Sequence, residues 1–313
     1  MVYYWLISMK VYIADEAGFC FGVKKALNLI ARLHEKKYNI QIYGQLIHNQ
    51  SVLKNLQEKG IGYTDTLAGL DRGKKLVIRT HGIPRQTEEK LRKEKIDIVD
   101  ATCPFVKKIH RIIEKIEAHP APTGSGRHCI VIVGDRDHPE VTAAAGYARQ
   151  PVVINSSKEA EKLEAAEKIH VIAQTTLNSD FFEEIIAILR KKAGKLEVYN
   201  TICSATKARQ EAIRRLAPQV DFVVVVGGKN SSNTRKLFEI ALEKNKNTFF
   251  IESSRELYSP GFIEKVSRFS SVGITAGAST PPQEIEKVKE YLIKIENIAK
   301  EIKNGRTKRS FQH

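Results

Sequence analysis

Ile98-Val-Asp-Ala-Thr-Cys103-Pro-Phe-Val-Lys107 has two counterparts in the same chain: Val11-Tyr-Ile-Ala-Asp-Glu-Ala-Gly-Phe-Cys20-Phe-Gly-Val-Lys24 and Val198-Tyr-Asn-Thr-Ile-Cys203-Ser-Ala-Thr-Lys207. In each, an apolar β-prone run ends in an acid or amide and a short turn follows. A cysteine then opens a basic helix, with lysine four residues beyond it. The copies lie roughly 80–100 residues apart, a spacing that fits three small α/β units and not short solenoid repeats. A pseudo-threefold relation among the units would bring the three cysteines to one point. The expected fold is therefore α/β: three pseudo-threefold-related units with small parallel sheets around a central site. Their expected bounds are residues 9–103, 104–202 and 203–290, with a C-terminal helix end and basic tail over 291–313.

The chain has 313 residues, 42% hydrophobic and 28% charged, enough to bury a substantial core in two or three domains. Its 4 cysteines are too few for a disulfide scaffold; turn-borne thiols so far apart read as ligands or nucleophiles in a reducing cytoplasm. A net charge of +15 calls for anionic partners, whether phosphorylated metabolites, an acidic protein, nucleic acid or a membrane surface. No stretch approaches the ~20 apolar residues of a membrane span. The apolar Met1–Ser8 lacks the basic flank and cleavage site of a signal peptide, and Met9, just before the first strand, reads as an alternative start.

From Met9 onward, short apolar runs alternate with amphipathic stretches, the mark of α/β architecture. Strands are expected at Lys10–Ala14, Ile40–Tyr43 and Leu76–Arg79 in the first unit. In the second they are expected at Ile96–Val99, Cys129–Val133, Val152–Ile154 and His170–Ala173. In the third they are expected at Leu196–Tyr199, Phe222–Val226, Thr248–Ile251 and Ser271–Thr275. The unbroken runs Ile130-Val-Ile-Val133 and Val223-Val-Val-Val226 suit strands covered on both faces. Helices are expected over Asp180–Lys192 and Asn233–Lys244, and a Pro/Gly/Ser surface loop over His119–Gly126. His48, His81, and His138 with Glu140 all follow strand ends, where ligands bind in open parallel sheets.

Free thiols are mostly protonated at pH 7, and making each thiolate costs about 2 kcal/mol. A helix N-terminus returns only about 0.3–1 kcal/mol. Three converging thiolates therefore need a metal. Structural zinc would want a fourth ligand and usually paired Cys-x2-Cys knuckles, which are absent. An iron–sulfur cluster tolerates scattered ligands, and three cysteines on a 4Fe–4S cluster would leave one iron open. Cys129 heads an apolar run and reads as a buried, inert residue.

Gly227-Gly-Lys-Asn-Ser231-Ser232-Asn233, between the valine strand and a helix, reads as a phosphate cradle or as ordinary capping by Ser232 or Asn233. The P-loop and GxGxxG spacings are both missing, so nucleotide binding is not indicated. Ala276-Gly-Ala-Ser279-Thr280-Pro-Pro-Gln283 is similarly double: Thr280 and Gln283 fit a capping box, and Ser279 could donate to a phosphate. Histidines clustered around a diphosphate would be pushed towards the charged form. Glu140 suits a general acid if burial raises its pKa.

Together these segments resemble the 4-hydroxy-3-methylbut-2-enyl diphosphate reductase family (IspH/LytB). The resemblance runs from about Met9 to Pro282. It is carried by Gly18-Phe-Cys-Phe-Gly-Val-Lys24, Ile47-His-Asn49, Thr80-His-Gly82, Asp100-Ala-Thr-Cys-Pro104, His138-Pro-Glu-Val141, Gln174-Thr-Thr-Leu177, Thr201-Ile-Cys203, Lys229-Asn-Ser-Ser-Asn233 and Thr275-Ala-Gly-Ala-Ser279. It implies a trefoil around one 4Fe–4S cluster held by Cys20, Cys103 and Cys203, with the open iron facing the substrate hydroxyl. It implies that His48, His81, His138, Ser231, Ser232, Asn233 and Ser279 hold a diphosphate. Glu140 would deliver protons, with Thr175 and Thr206 lining the relay and His138 beside them. The implied reaction is the last step of the methylerythritol phosphate route, a reductive dehydroxylation giving isopentenyl and dimethylallyl diphosphates. Electrons would come from a ferredoxin or flavodoxin in the cytoplasm.

Two departures stand out: Gly134-Asp-Arg-Asp-His138 lacks a second histidine that family members often carry, and Thr142-Ala-Ala-Ala-Gly146 replaces a glycine-rich segment. Quinolinate synthase, another three-unit cluster enzyme, shares the logic of the cysteines but not the Ser-Ser-Asn or His-Pro-Glu motifs. A cluster-bearing nucleic-acid regulator would want a basic stripe with interleaved aromatics, whereas Lys and Arg here scatter over helical faces. No specific nucleic acid partner is expected.

Overall fold

The computed structural model describes residues 9–119, 127–266 and 268–303. The leading apolar segment, most of the Pro/Gly/Ser loop and the basic tail lie outside the described residues. The described chain forms three four-stranded, wholly parallel sheets with helices between the strands. The first sheet contains β2 (Ile40–Tyr43), β3 (Gly62–Thr64), β4 (Lys75–Ile78) and β5 (Ile98–Asp100), in the order β3-β2-β4-β5. The second contains β6 (His128–Val133), β7 (Val152–Ile154), β8 (Ala166–Ala173) and β9 (Ala193–Tyr199), in the order β7-β6-β8-β9. The third contains β10 (Phe222–Val226), β11 (Thr248–Ile251), β12 (Ser271–Ala276) and β1 (Lys10–Ile13), in the order β11-β10-β12-β1.

All three sheets thus share one plan, second-first-third-fourth, and in each the fourth strand is the one that runs into a cysteine. This shifts the sequence-based strand grouping. Lys10–Ile13 pairs with β12, Ile98–Asp100 with β4, and Ala193–Tyr199 with β8, so each cysteine-leading strand closes the sheet before its cysteine. The third sheet takes its fourth strand from the other end of the chain. The short β3 escaped the sequence reading because Gly62-Tyr-Thr64 offers too little apolar pattern.

By internal contacts the described residues form two compact units, one within 20–207 with the first two sheets, the other within 9–19 and 208–303. In the former, Cys129, Val131 and Val133 of β6 face one core, while Ile130 and Ile132 face another that includes Ile109 and Ile113 of the helix Pro104–Ala118. In the latter, Val224 and Val226 of β10 point to one layer and Val223 and Val225 to the opposite one. Alternate residues buried on both faces account for the unbroken apolar runs. Cys129 is 6% exposed, and burial pushes its thiol up, so it is the inert core residue expected.

Two capping details differ from the sequence reading. Ser231, not Ser232 or Asn233, caps the helix Ser232–Lys244, its Oγ accepting from the Thr234 N–H at 3.3 Å. The Thr280 hydroxyl donates to the Val226 carbonyl at 3.0 Å, two residues before the helix Pro282–Lys303, so it ties loop to strand instead of forming a capping box.

Candidate active site

Every sequence-predicted site residue sits in, or within a turn of, one of three slots at the carboxyl ends of the strands. After the first strand of each sheet come His48, then His138 with Glu140, then Ser231, Ser232 and Asn233. After the third come His81, Thr175 and Ser279; after the fourth come Cys103, Cys203 and Cys20. Thr206 lies in the helix that Cys203 opens.

Cys20 is the N-cap of the helix Phe21–Glu35, its sulfur facing the Val23 N–H at 3.5 Å. Cys103 caps the helix Pro104–Ala118. Cys203 precedes the helix Ser204–Leu216, its sulfur 3.3 Å from the Thr206 N–H and 3.0 Å from the Thr206 Oγ1. The Cys20 and Cys103 sulfurs converge: a Cβ placed on Gly22 would stand 2.7 Å from Cys103 Sγ and 3.9 Å from Cys20 Sγ. Burial pushes the Cys103 thiol up to about 11 against two backbone N–H groups, with Cys20 and Glu140 adding to the rise. Burial also raises Cys203, opposed by the Thr206 hydroxyl and N–H. Half-buried thiols with raised pKa values, as at Cys103 and Cys203, stay protonated unless a cation replaces their protons, and helix N–H groups already face the sulfurs. This donor set fits a thiolate-bound metal cluster.

Glu140 is 2% exposed. Its carboxylate accepts from the Thr175 N–H and from the Thr175 hydroxyl, each at 2.6 Å. Burial raises its pKa, and those two donors pull it back down without cancelling the rise. A proton can thus reside on this carboxyl to higher pH than on an ordinary carboxylate, with a hydroxyl beside it to pass the proton on.

His48, His81 and His138 form a compact trio, with ring centroids 4.7, 5.4 and 5.1 Å apart pairwise. One ring nitrogen from each lies within 4.8 Å of the other two, close enough to suggest a metal site. The capping bond of His138 argues otherwise. His138 Nδ1 accepts from the Glu140 N–H at 3.2 Å, so in the neutral ring Nε2 carries the proton. A metal needs the Nε2 lone pair; an anion takes its proton. Burial, then His138, His48 and Arg79, hold His81 well below 6.5, and its buried Nδ1 has no hydrogen-bond partner. An anion would meet that nitrogen and offset the clustered positive potential.

In the other unit, Ser231, Ser232, Asn233 and Ser279 are all buried, and Asn233 Nδ2 has no hydrogen-bond partner. Hydroxyls and an amide donor thus gather at the start of a 13-residue helix, donors of the kind an oxyanion takes.

The sequence reading missed Gln174. It is 2% exposed, its Oε1 accepts from the Asp135 N–H at 2.9 Å, and its Nε2 is unpartnered beside Thr175. Its place in Gln174-Thr-Thr-Leu177 was the available signal. A separate cavity of about 310 Å³, lined by Arg85, Glu88, Arg92, Lys107, His110 and Tyr147, holds none of the predicted residues. Three of its cations are paired, at 2.9 Å (Arg85–Glu89), 2.6 Å (Arg92–Glu88) and 2.5 Å (Lys107–Asp100), and Glu114 lines it beside the remaining Arg111, so the lining carries no excess of positive charge for a diphosphate.

The model of the LytB protein family matches residues 11–293. The chain belongs to the LytB family. A 4-hydroxy-3-methylbut-2-enyl diphosphate reductase from Caldanaerobacter subterraneus subsp. tengcongensis is 41% identical over 289 residues, covering 91% of this chain and 96% of the relative. One of the same name from Aquifex aeolicus is 39% identical over 292 residues, covering 92% and 97%. A solved structure of (E)-4-hydroxy-3-methyl-but-2-enyl diphosphate reductase, described as the terminal enzyme of the non-mevalonate pathway, matches with a TM-score of 0.63 at 37% identity. It covers 90% of this chain and 98% of that one. The E-1-hydroxy-2-methyl-but-2-enyl-4-diphosphate reductase of Plasmodium falciparum matches with a TM-score of 0.83 at 27% identity, covering 90% and 87%. No described helix is long and apolar enough to cross a membrane.

Proposed function

We propose that this chain is a 4-hydroxy-3-methylbut-2-enyl diphosphate reductase, an iron–sulfur enzyme of isoprenoid synthesis acting on a diphosphate substrate. The observation that carries the reading is the filling of equivalent strand-end slots: cysteines in one, and imidazoles or hydroxyls in the other two. In balanced form the allylic alcohol takes up two electrons and two protons, its C–O bond breaks, and water leaves with isopentenyl or dimethylallyl diphosphate.

Cys20, Cys103 and Cys203 would hold one 4Fe–4S cluster with an open iron, which when bound supplies electrons and Lewis acidity at the hydroxyl. His48, His81 and His138 present ring N–H groups to the diphosphate, with Ser231, Ser232, Asn233 and Ser279 as further donors. The neutral tautomer fixed at His138 keeps its Nε2 a donor. Glu140 holds the proton destined for the leaving water, and the Thr175 hydroxyl is the adjoining relay group. Thr206 acts beside Cys203, to whose sulfur it is hydrogen-bonded, as much as on substrate. Neither departure noted in the sequence removes a side chain from these roles. The electron donor is of the ferredoxin or flavodoxin type, and the enzyme is cytoplasmic.

An anaerobic assay on cluster-reconstituted protein tests this. Substrate-dependent oxidation of reduced methyl viologen is expected in the wild type and not in Cys103→Ser. No turnover despite a spectroscopically intact cluster would overturn the assignment.

A further inference from the structure

The reaction consumes two electrons, and the chain carries no dinucleotide fingerprint through which a soluble hydride donor would supply them. They must enter from another protein, close to the cysteines. The helix Phe21–Glu35, which Cys20 caps, buries Gly22, Val23, Ala26 and Ile30 on one face. Its opposite face is a single stripe of exposed residues: Phe21, Lys24, Lys25, Asn28 and Arg32, at helical spacing. Phe21 is 62% exposed although it adjoins Cys20. Among the described residues, Lys24, Lys25 and Arg32 have no ion-pair partner, and the first acid in the helix is its last residue, Glu35. On the other two cysteine-led helices Lys107 is tied to Asp100 and Arg215 to Asp15, and although Lys108 and Arg111 are exposed, neither helix presents an aromatic as exposed as Phe21 beside its cysteine.

We propose that this stripe, an exposed aromatic followed by unpaired cations within about three helical turns of Cys20, is the docking surface for an acidic one-electron carrier protein. The inference rests on the reductase reading above. Unpaired surface cations steer an acidic partner at long range, and an exposed aromatic at their Cys20 end supplies the desolvated contact that stable docking needs. Two reduced carriers would dock in turn, each oxidised by one electron for every alcohol reduced.

The test uses reconstituted holoenzyme with two reductants, methyl viologen and a dithionite-reduced bacterial ferredoxin. In K24E/K25E/R32E, the ferredoxin KM should rise about tenfold and lose its dependence on salt, with methyl viologen turnover unchanged. The neutral variant K24Q/K25Q/R32Q should fall between. Unchanged ferredoxin kinetics in the triple reversal would overturn the proposal, as would loss of affinity for a mixed oligonucleotide with ferredoxin kinetics intact. Failure of methyl viologen turnover in the wild type would instead count against the reductase reading itself.

Discussion

Gly22 lies so close to Cys103 that a methyl group on its Cα would stand 2.7 Å from the cysteine sulfur. Gly22 is buried within a regular helix, where its conformation does not demand glycine. Glycine there costs roughly 0.5–1 kcal/mol relative to alanine, so it is the neighbouring sulfur that needs the space.

Gly22→Ala should therefore separate folding from cluster binding. In the metal-free protein the Cys103 thiol can rotate aside, and the melting temperature should hold or rise. In the loaded protein the sulfur is committed to the cluster, and iron content after reconstitution should fall severalfold. Iron analysis beside thermal denaturation of both forms checks this; full iron loading in Gly22→Ala would refute it.

Thr206 is placed to tune Cys203, its hydroxyl lying 3.0 Å from the sulfur. A hydrogen bond to a ligand sulfur favours the more negative, reduced state. Thr206→Val should lower the midpoint potential on the order of 50 mV, and Thr206→Ser should restore it. A potentiometric titration followed by electron paramagnetic resonance reads the shift, and a potential equal to that of the wild type would remove Thr206 from this role.

The raised pKa of Glu140 sets a pH dependence whose sign follows from its role. As the proton donor it works when protonated, so kcat should decline as pH rises through its elevated pKa. Thr175 donates to the ionised form, so Thr175→Val should push the pKa higher and move the alkaline limb to higher pH, while lowering kcat through loss of the relay hydroxyl. Glu140→Gln should lower kcat about 10²–10⁴-fold. In folding terms a raised carboxyl pKa withdraws stability as pH climbs from the unfolded to the folded value. A pH–rate profile unchanged in Thr175→Val would sever the link.

The histidine trio should take up protons when it meets an anion. His81 is held well below 6.5 in the free protein, so it is neutral near pH 7 and its charged form is restored only by a partner such as diphosphate. Inorganic diphosphate should therefore bind more tightly as pH falls from about 7.5 to 6. Calorimetry in two buffers of different ionisation enthalpy should show net proton uptake, diminished in His81→Phe. Free of ligand, the same depressed pKa means that stability declines as pH drops below the unfolded value. Zero proton uptake would contradict the anion role.

The three cysteine turns, their helices and the strand-end placement of the histidines, Glu140 and the serine–asparagine cradle were legible in the sequence alone. These are local matters: apolar period, a residue that stops a strand, a side chain that can cap the next helix. Which strands pair was not local. Lys10–Ile13 finds β12 some 260 residues further along the chain, because parallel pairing is satisfied by register and cover and leaves no mark in the strand's own residues. The tautomer of His138, the orphaned amide of Gln174 and the space that Gly22 leaves beside Cys103 likewise depend on distances between atoms remote in sequence. Residue types and order set the chemistry available. The packing decided which protons are costly to remove, since burial and neighbouring charge act only once the chain has folded.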